Sequence, residues 1–172
     1  MGLSKTSVSK AALNDLEHIE KQADERVFAV AGNPNVGKST LFNALTGMNQ
    51  HTGNWAGKTV SSAKGRIKSK KGVITLVDIP GTYSLVPHSA EEEVARDFIC
   101  FGGVDGVLVV CDATSLERNL NLVLQTLEIT DNVVVIVNLM DEAKRKGISV
   151  DIQCLKESLG IEVISSSARD KR

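Results

Sequence analysis

Three stretches of the chain are apolar without interruption, residues 27–31, 106–111 and 133–137, and each is short and rich in valine. Runs of that length and composition predict strands buried on both faces of a sheet. Between them the periodicity changes to that of helices over residues 40–46, 90–100 and 116–129, and again around 141–146 and 152–159. Residues 59–67 and 73–77 flank a basic turn and predict an antiparallel pair, and residues 161–164 predict a last strand. Ahead of all this, Ala12, Leu13, Leu16, Ile19 and Ala23 recur at helical spacing, which predicts a short amphipathic helix over 7–26. Alternating strands and helices imply an α/β fold: a mostly parallel six-stranded sheet with one antiparallel strand and helices on both faces.

Ligands of such sheets lie at the carboxyl ends of the strands. Gly32, Asp78, Asn138 and Ser165 all fall there. The first of these opens Gly32-Asn-Pro-Asn-Val-Gly37-Lys38-Ser39, which satisfies the phosphate-binding loop pattern and sits between a predicted strand and a predicted helix. Its glycines let successive N–H groups converge on phosphate oxygens at the positive end of the helix. Asn33, Asn35, Val36, Gly37, Lys38, Ser39 and Thr40 are the candidate contacts. Lys38 would reach the β- and γ-phosphates, Ser39 would ligate magnesium, and Thr40 would bond the α-phosphate.

Composition narrows the partners. With 172 residues and 42% hydrophobic content the chain can build a full core, and a net charge of −1 gives no long-range attraction for nucleic acid or anionic lipid. The one basic cluster, Lys64, Arg66, Lys68, Lys70 and Lys71, reads as an exposed hairpin. Aromatic residues amount to 3%, too few for base-stacking platforms. The three cysteines have no C-x-x-C spacing, so neither a disulfide framework nor a zinc site is expected. His51 and His88 fall in predicted loops without spaced partners of ligand type. No apolar stretch approaches the roughly 18 residues of a membrane span.

The phosphate loop, Thr59, Asp78-x-x-Gly81, Asn138-x-x-Asp141 and Ser166-Ser167-Ala168 follow in the order of the five motifs of the GTP-binding switch proteins, which the chain resembles over nearly its whole length. Under that resemblance the Asp141 carboxylate accepts two hydrogen bonds from guanine. Adenine presents an acceptor instead, so ATP is disfavoured by about 100-fold or more. Asn138 would tie its loop to the phosphate loop and the base, the Ala168 N–H would meet the guanine oxygen with Ser167 a further nucleotide contact, and Leu139 replaces a common lysine. Thr59 through magnesium and Gly81 through its N–H would sense the γ-phosphate, with Asp78 in magnesium's outer shell. Thr82 stands where many such proteins carry a water-orienting glutamine, so catalysis must differ. The Asn35 side-chain oxygen is placed to help hold a monovalent cation, whose charge would do the work of an arginine finger.

Residues 32–47, 53–60, 78–85, 91–97 and 112–120 resemble the cytoplasmic G domain of FeoB, the bacterial ferrous iron transporter, a P-loop GTPase of the Era-like, TRAFAC class. The resemblance runs from about Arg26 to the end, giving an N-terminal extension over 1–25 and a G domain over 26–172. It implies a Ras-like fold, GTP and GDP with Mg2+, and slow, K+-stimulated hydrolysis in which Asn35 and the Gly53 and Trp55 carbonyls surround potassium. Asn35, Lys38, Thr59 and Gly81 are then the catalytic set. Ala56 and Lys58 depart from the family pattern at the potassium loop. The resemblance also implies helical and transmembrane domains of the same polypeptide as partners, together with small accessory proteins of the iron transport system. Nucleic acid is not among them, and the location is the cytoplasmic face of the bacterial inner membrane. The fold calls for a further helix after Ala168, so the chain is expected to be a soluble, C-terminally truncated fragment whose extension helix helps cover the bare face. The alternatives are a regulatory module holding GTP or GDP without turnover, and an Era-like GTPase of RNA modification or ribosome assembly.

Overall fold

The structure is a computed structural model that describes residues 25–47, 50–54, 61–69 and 72–167. One seven-stranded sheet runs through it in the order β2-β3-β4-β1-β5-β6-β7. Its strands are β1 (Glu25–Gly32), β2 (Gln50–Asn54), β3 (Ser61–Ser69), β4 (Gly72–Asp78), β5 (Gly106–Asp112), β6 (Val133–Asn138) and β7 (Glu162–Ser165). β3 alone runs against the others, antiparallel to β2 on one side and to β4 on the other. The centre of the sheet is parallel throughout.

Alternation along the central strands divides the core. Val27, Ala29, Val107, Val109, Val135 and Val137 point to one face. There they meet Val94, Ala95 and Phe98 of α2 (Ala90–Phe101) and Leu122 and Val123 of α3 (Leu116–Leu127). Ala143 of α4 (Met140–Arg145) and, half-buried, Leu155 of α5 (Ile152–Leu159) complete that side. Val30, Leu76, Val110 and Ile136 point to the other face, where α1 (Lys38–Thr46) lays down Leu41 and Phe42. Two helices away from the predicted ligand, α2 and α5, are capped by side chains. Ser89 accepts from the Glu92 N–H at the start of α2, behind three first-turn glutamates, and Asp151 accepts from the Cys154 N–H at the start of α5.

The six predicted strands, the one reversed strand and the helices on both faces are all present. Two local readings are corrected. Residues 50–54, expected as loop, form β2: Gly53 pairs with Ser62 and His51 with Lys64. This is an edge strand held by backbone bonds to β3, and Gln50-His-Thr-Gly-Asn carries no apolar alternation to announce it. Glu25 and Arg26, expected at the end of a helix, begin β1; the Glu25 carboxylate is buried against the Thr75 hydroxyl of β4 and pairs, across β4, with Arg66 of β3. The rest of the predicted helix over 7–26 lies outside the described residues. No helix among the described residues is long and apolar enough to cross a membrane.

Candidate nucleotide site

β1 ends at Gly32, and the chain turns through Asn33, Pro34 and Asn35 before α1 begins at Lys38. Two residues of the turn have left-handed backbone, Asn35 at φ 66° and Gly37 at φ 81°. Asparagine tolerates that region better than most residues, and at Gly37 there is no room for a side chain either. A Cβ there would lie 2.5 Å from Nδ2 of Asn138. Val36 is buried in the core beside Leu41 and Phe42, so the loop is pinned from beneath. Gly37, the cap residue of α1, offers no side-chain cap, and no carboxylate stands in the first turn. The first N–H groups of α1 are therefore free of competing side-chain acceptors of their own helix, with Ser39 and Thr40 exposed beside them.

Lys38 turns back across the loop. Its ammonium pairs with the Asp78 carboxylate at the end of β4 and donates to the Ile79 carbonyl at 2.6 Å. Both charged side chains are largely buried, at 11% and 15% exposure, so this pair is not a surface ornament. The segment after Asp78 is held in the same way. The Ile79 N–H donates to the Val30 carbonyl (3.2 Å) and the Thr82 N–H to the Gly32 carbonyl (3.1 Å). Gly81 lies flat on the phosphate loop: a Cβ there would stand 3.3 Å from the Pro34 nitrogen and Cα. Thr82 is buried and its hydroxyl donates to the Ser84 carbonyl at 2.6 Å, so the residue in the water-orienting position is committed to its own loop.

The third element arrives from β6. Asn138 is fully buried and its Nδ2 donates to the Val36 carbonyl at 2.9 Å, across 102 residues of sequence. Leu139 follows with φ 62°, a left-handed conformation that costs a branched residue about 1–2 kcal/mol. It starts α4, in whose first turn Asp141 sits. One Asp141 oxygen accepts from Arg145 at 3.2 Å, one helical turn on. The Met140 N–H donates to Ser166 and the Ser166 N–H to Val137, which draws Ser167 alongside. Asp141, Lys144, Ile148 and Ser167 line a cleft of about 640 Å³.

The structure thus gathers residues 33–40, Asp78, Gly81, Asn138, Asp141 and Ser167 at the carboxyl edge of the sheet. Thr59, Trp55 and Ala168 lie outside the described residues, and Gly53 belongs to β2. Two features of the site were not visible in the sequence. Asn33 is 1% exposed and neither of its side-chain polar atoms has a hydrogen-bond partner among the described residues. The loop after Gly81 rests on α3 through Arg118, Asn121 and Gln125, residues spaced three and four apart on one helical face. That spacing was the available signal.

Comparison with known proteins gives one answer. The family model for ferrous iron transport protein B matches residues 26–172. The Fe(2+) transporter FeoB of Helicobacter pylori J99 is 42% identical over 147 residues, 86% of this chain and 23% of the relative. That of Escherichia coli K12 is 45% identical over 137 residues, 77% of this chain and 18% of the relative. The chain spans less than a quarter of the length of these relatives. Among solved structures, the G domain of the Thermotoga maritima FeoB iron transporter superposes with a TM-score of 0.80 at 41% identity, covering 84% of this chain and 89% of that one. The Methanococcus jannaschii FeoB G domain gives 0.75 at 42% identity, covering 86% and 89%. The T. maritima cytosolic domain has been solved in GDP and GMPPNP forms. With a family model across residues 26–172, these identities and the same P-loop G-domain fold, the chain belongs to the FeoB ferrous iron transport family.

Proposed function

We propose that residues 26–172 bind GTP and GDP and hydrolyse GTP slowly, as the G domain of a ferrous iron transporter. One observation carries the proposal. Two separate segments grip the phosphate loop, residues 78–82 through Asp78 and Ile79 to Lys38 and Thr82 to Gly32, and β6 through Asn138 to Val36, so the loop that would hold the phosphates is mechanically joined to both a switch loop and the base-reading strand. The GDP and GMPPNP forms of the T. maritima relative support guanine nucleotides as the ligands.

Each residue has a task that its place in the fold permits. The N–H groups at the start of α1 cradle the phosphates, and Lys38, already drawn toward the site by Asp78, neutralises their charge. Asp141 reads the guanine edge, while Asn138 holds the two halves of the site together. Gly81, lying against Pro34, offers its N–H to the γ-phosphate. The Ser39 hydroxyl is a hard oxygen donor that suits magnesium directly, and the Asp78 carboxylate, paired with Lys38, suits its outer shell through water. With Thr59 they would hold the ion, which would supply positive charge to the phosphate oxygens. The exposed Asn35 side chain suits a weaker oxygen-bound cation; with the Gly53 and Trp55 carbonyls it would hold potassium, adding charge where relatives with a glutamine orient water. The inward-turned Thr82 leaves that role to other groups.

Steady-state phosphate release tests the proposal directly. Turnover with GTP should be faster in potassium than in sodium chloride, absent with ATP, and lowered at least about tenfold in Asn35→Ala. Equal rates in the two salts would remove the potassium site. Nucleotide binding without turnover in either salt would instead favour a regulatory module, a reading that the committed Thr82 hydroxyl also supports. In the whole transporter we propose that the nucleotide state gates Fe(II) passage through helical and transmembrane parts of the same polypeptide, at the cytosolic face of the membrane and with small accessory proteins as further partners. Among the described residues there is no group of three or more His, Cys, Asp or Glu side chains arranged to hold a metal.

A further inference from the structure

Gln125 lies in the last turns of α3, 40 residues from the loop it touches. Its side-chain oxygen accepts two hydrogen bonds from that loop, one from the Leu85 N–H at 2.7 Å and one from the Ser84 hydroxyl at 3.2 Å. One helical turn back, Asn121 donates to the Tyr83 carbonyl at 3.4 Å, and a further turn back the Arg118 guanidinium lies over the Tyr83 ring, 4.9 Å from its centroid. These are successive positions on one face of α3, and they engage Tyr83, Ser84 and Leu85 in turn. Leu85 itself is buried in the core, while Tyr83 and Val86 on either side are 44% and 53% exposed. The loop therefore has one apolar anchor, and most of its orientation comes from α3.

We infer that Gln125 is a positioning residue for the reaction: by accepting from Leu85 and Ser84 it fixes the loop so that Gly81 stays against the phosphate loop, and Arg118 and Asn121 complete the hold. The inference rests on the GTPase proposal for its catalytic consequence, but the clamp is a property of the fold alone. Beyond Gly81, Thr82 reaches back to Gly32 through its N–H and forward to Ser84 through its hydroxyl. Ser84 is the same residue whose hydroxyl donates to Gln125. A continuous chain of bonds thus runs from α3 to the phosphate loop: Gln125, Ser84, Thr82, Gly32. Releasing its α3 end lets Gly81 wander from the position where its N–H meets the γ-phosphate. GDP, which has no γ-phosphate, is indifferent to it.

Because Gln125 acts only as an acceptor in both bonds, two variants separate the clamp from bulk packing. Gln125→Glu keeps acceptor oxygens; Gln125→Leu keeps the volume and helix propensity but not the acceptor. Hydrogen exchange on this chain reads the clamp without nucleotide. The Leu85 amide, which donates to Gln125, should exchange about tenfold faster in Gln125→Leu and within about twofold of the parent in Gln125→Glu, as expected for losing a hydrogen bond of ordinary strength. Turnover reads the consequence: kcat for GTP should fall about five- to tenfold in Gln125→Leu with GDP affinity within about twofold, and Gln125→Glu should restore it. Unchanged exchange in Gln125→Leu, or equal loss in both variants, overturns the inference. So does a matching fall in GTP and GDP affinity, since that marks a deformed nucleotide site rather than a misplaced loop. If the parent chain neither binds nor hydrolyses GTP, the functional proposal fails, and the exchange result still decides the clamp.

Discussion

Replacing Asn138 by alanine tests the most buried polar contact of the site. The side chain is fully buried and its amide donates to the carbonyl of Val36, itself 2% exposed. Truncation leaves that carbonyl without its donor in a place water reaches poorly, which costs about 1–3 kcal/mol. The loss falls on the phosphate loop, so it is felt twice. In a urea melt the midpoint should drop by the amount corresponding to about 2 kcal/mol with the slope unchanged. In calorimetry with GDP the affinity should fall about tenfold or more, because a loop no longer held by β6 must be ordered at the ligand's expense, and each 1.4 kcal/mol is tenfold. Asn138→Asp sharpens the test. It has the same shape but turns a carboxylate oxygen toward the Val36 carbonyl, so it should be worse than alanine in both assays. GDP affinity within twofold of the parent for Asn138→Ala, or an aspartate variant that binds as well as the parent, would refute the reasoning that the amide preorganises the loop.

Other substitutions probe neighbouring links. Asp141→Asn should weaken GDP by about 100-fold or more in calorimetry while leaving ADP binding unimproved; its effect on stability should stay under about 0.5 kcal/mol, because its ion pair is the exposed one-turn contact with Arg145. Gly81→Ala places a methyl group 3.3 Å from the Pro34 backbone, so turnover should fall about tenfold while GDP affinity changes little in the same preparations. Burial in β5 pushes the Cys111 thiol from its usual value of 9.0 up to about 12, with the neighbouring Asp112 carboxylate acting in the same direction. The folded state therefore keeps this thiol neutral while the unfolded chain ionises, so stability is intact below pH 9 and declines by about 1.4 kcal/mol per pH unit between 9 and about 12. Cys111→Ala should flatten that alkaline decline in pH-dependent urea melts.

How much of this could be read from the residues depended on where the determining contacts lie along the chain. The central strands announced themselves because both their faces are buried, so Val107 to Cys111 and Val133 to Val137 are apolar without a break. The site's coarse position followed, since β1, β4, β6 and β7 end at Gly32, Asp78, Asn138 and Ser165. β2 was silent because an edge strand is held by its neighbour's backbone, and no side chain of Gln50-His-Thr-Gly-Asn needs to be apolar for that. The start of α1 was set two residues late because the last residues of the phosphate loop are already helical: Lys38 opens the helix behind a left-handed Gly37. Asn33 was named as a phosphate-loop contact, but a polar turn residue gives no sign that it is 1% exposed. Leu139 carried no hint of positive φ, since leucine rarely adopts it. Gln125 was hidden by distance, as its partners lie 40 and 41 residues away.

The loop between Gly81 and α2 is bounded by two kinds of attachment, and their difference decides where it can yield. At its start, Asp78 and Ile79 are bound to Lys38 and β1, next to strands whose core residues are at most 2% exposed. At its end, the Ser89 hydroxyl caps α2 and the His88 N–H is held by Glu92, both at exposed positions. Between them, among the described residues, Leu85 reaches the core, the Thr82 N–H is held by the Gly32 carbonyl, and the face of α3 supplies hydrogen bonds to Tyr83, Ser84 and Leu85. Local opening costs least where few apolar contacts must be broken. A force applied at Gly81 therefore meets rigid sheet on one side and, on the other, a short run of residues tied to two helices. Any displacement of Gly81 would therefore be taken up by residues 82–88 and delivered mainly to α2 and α3.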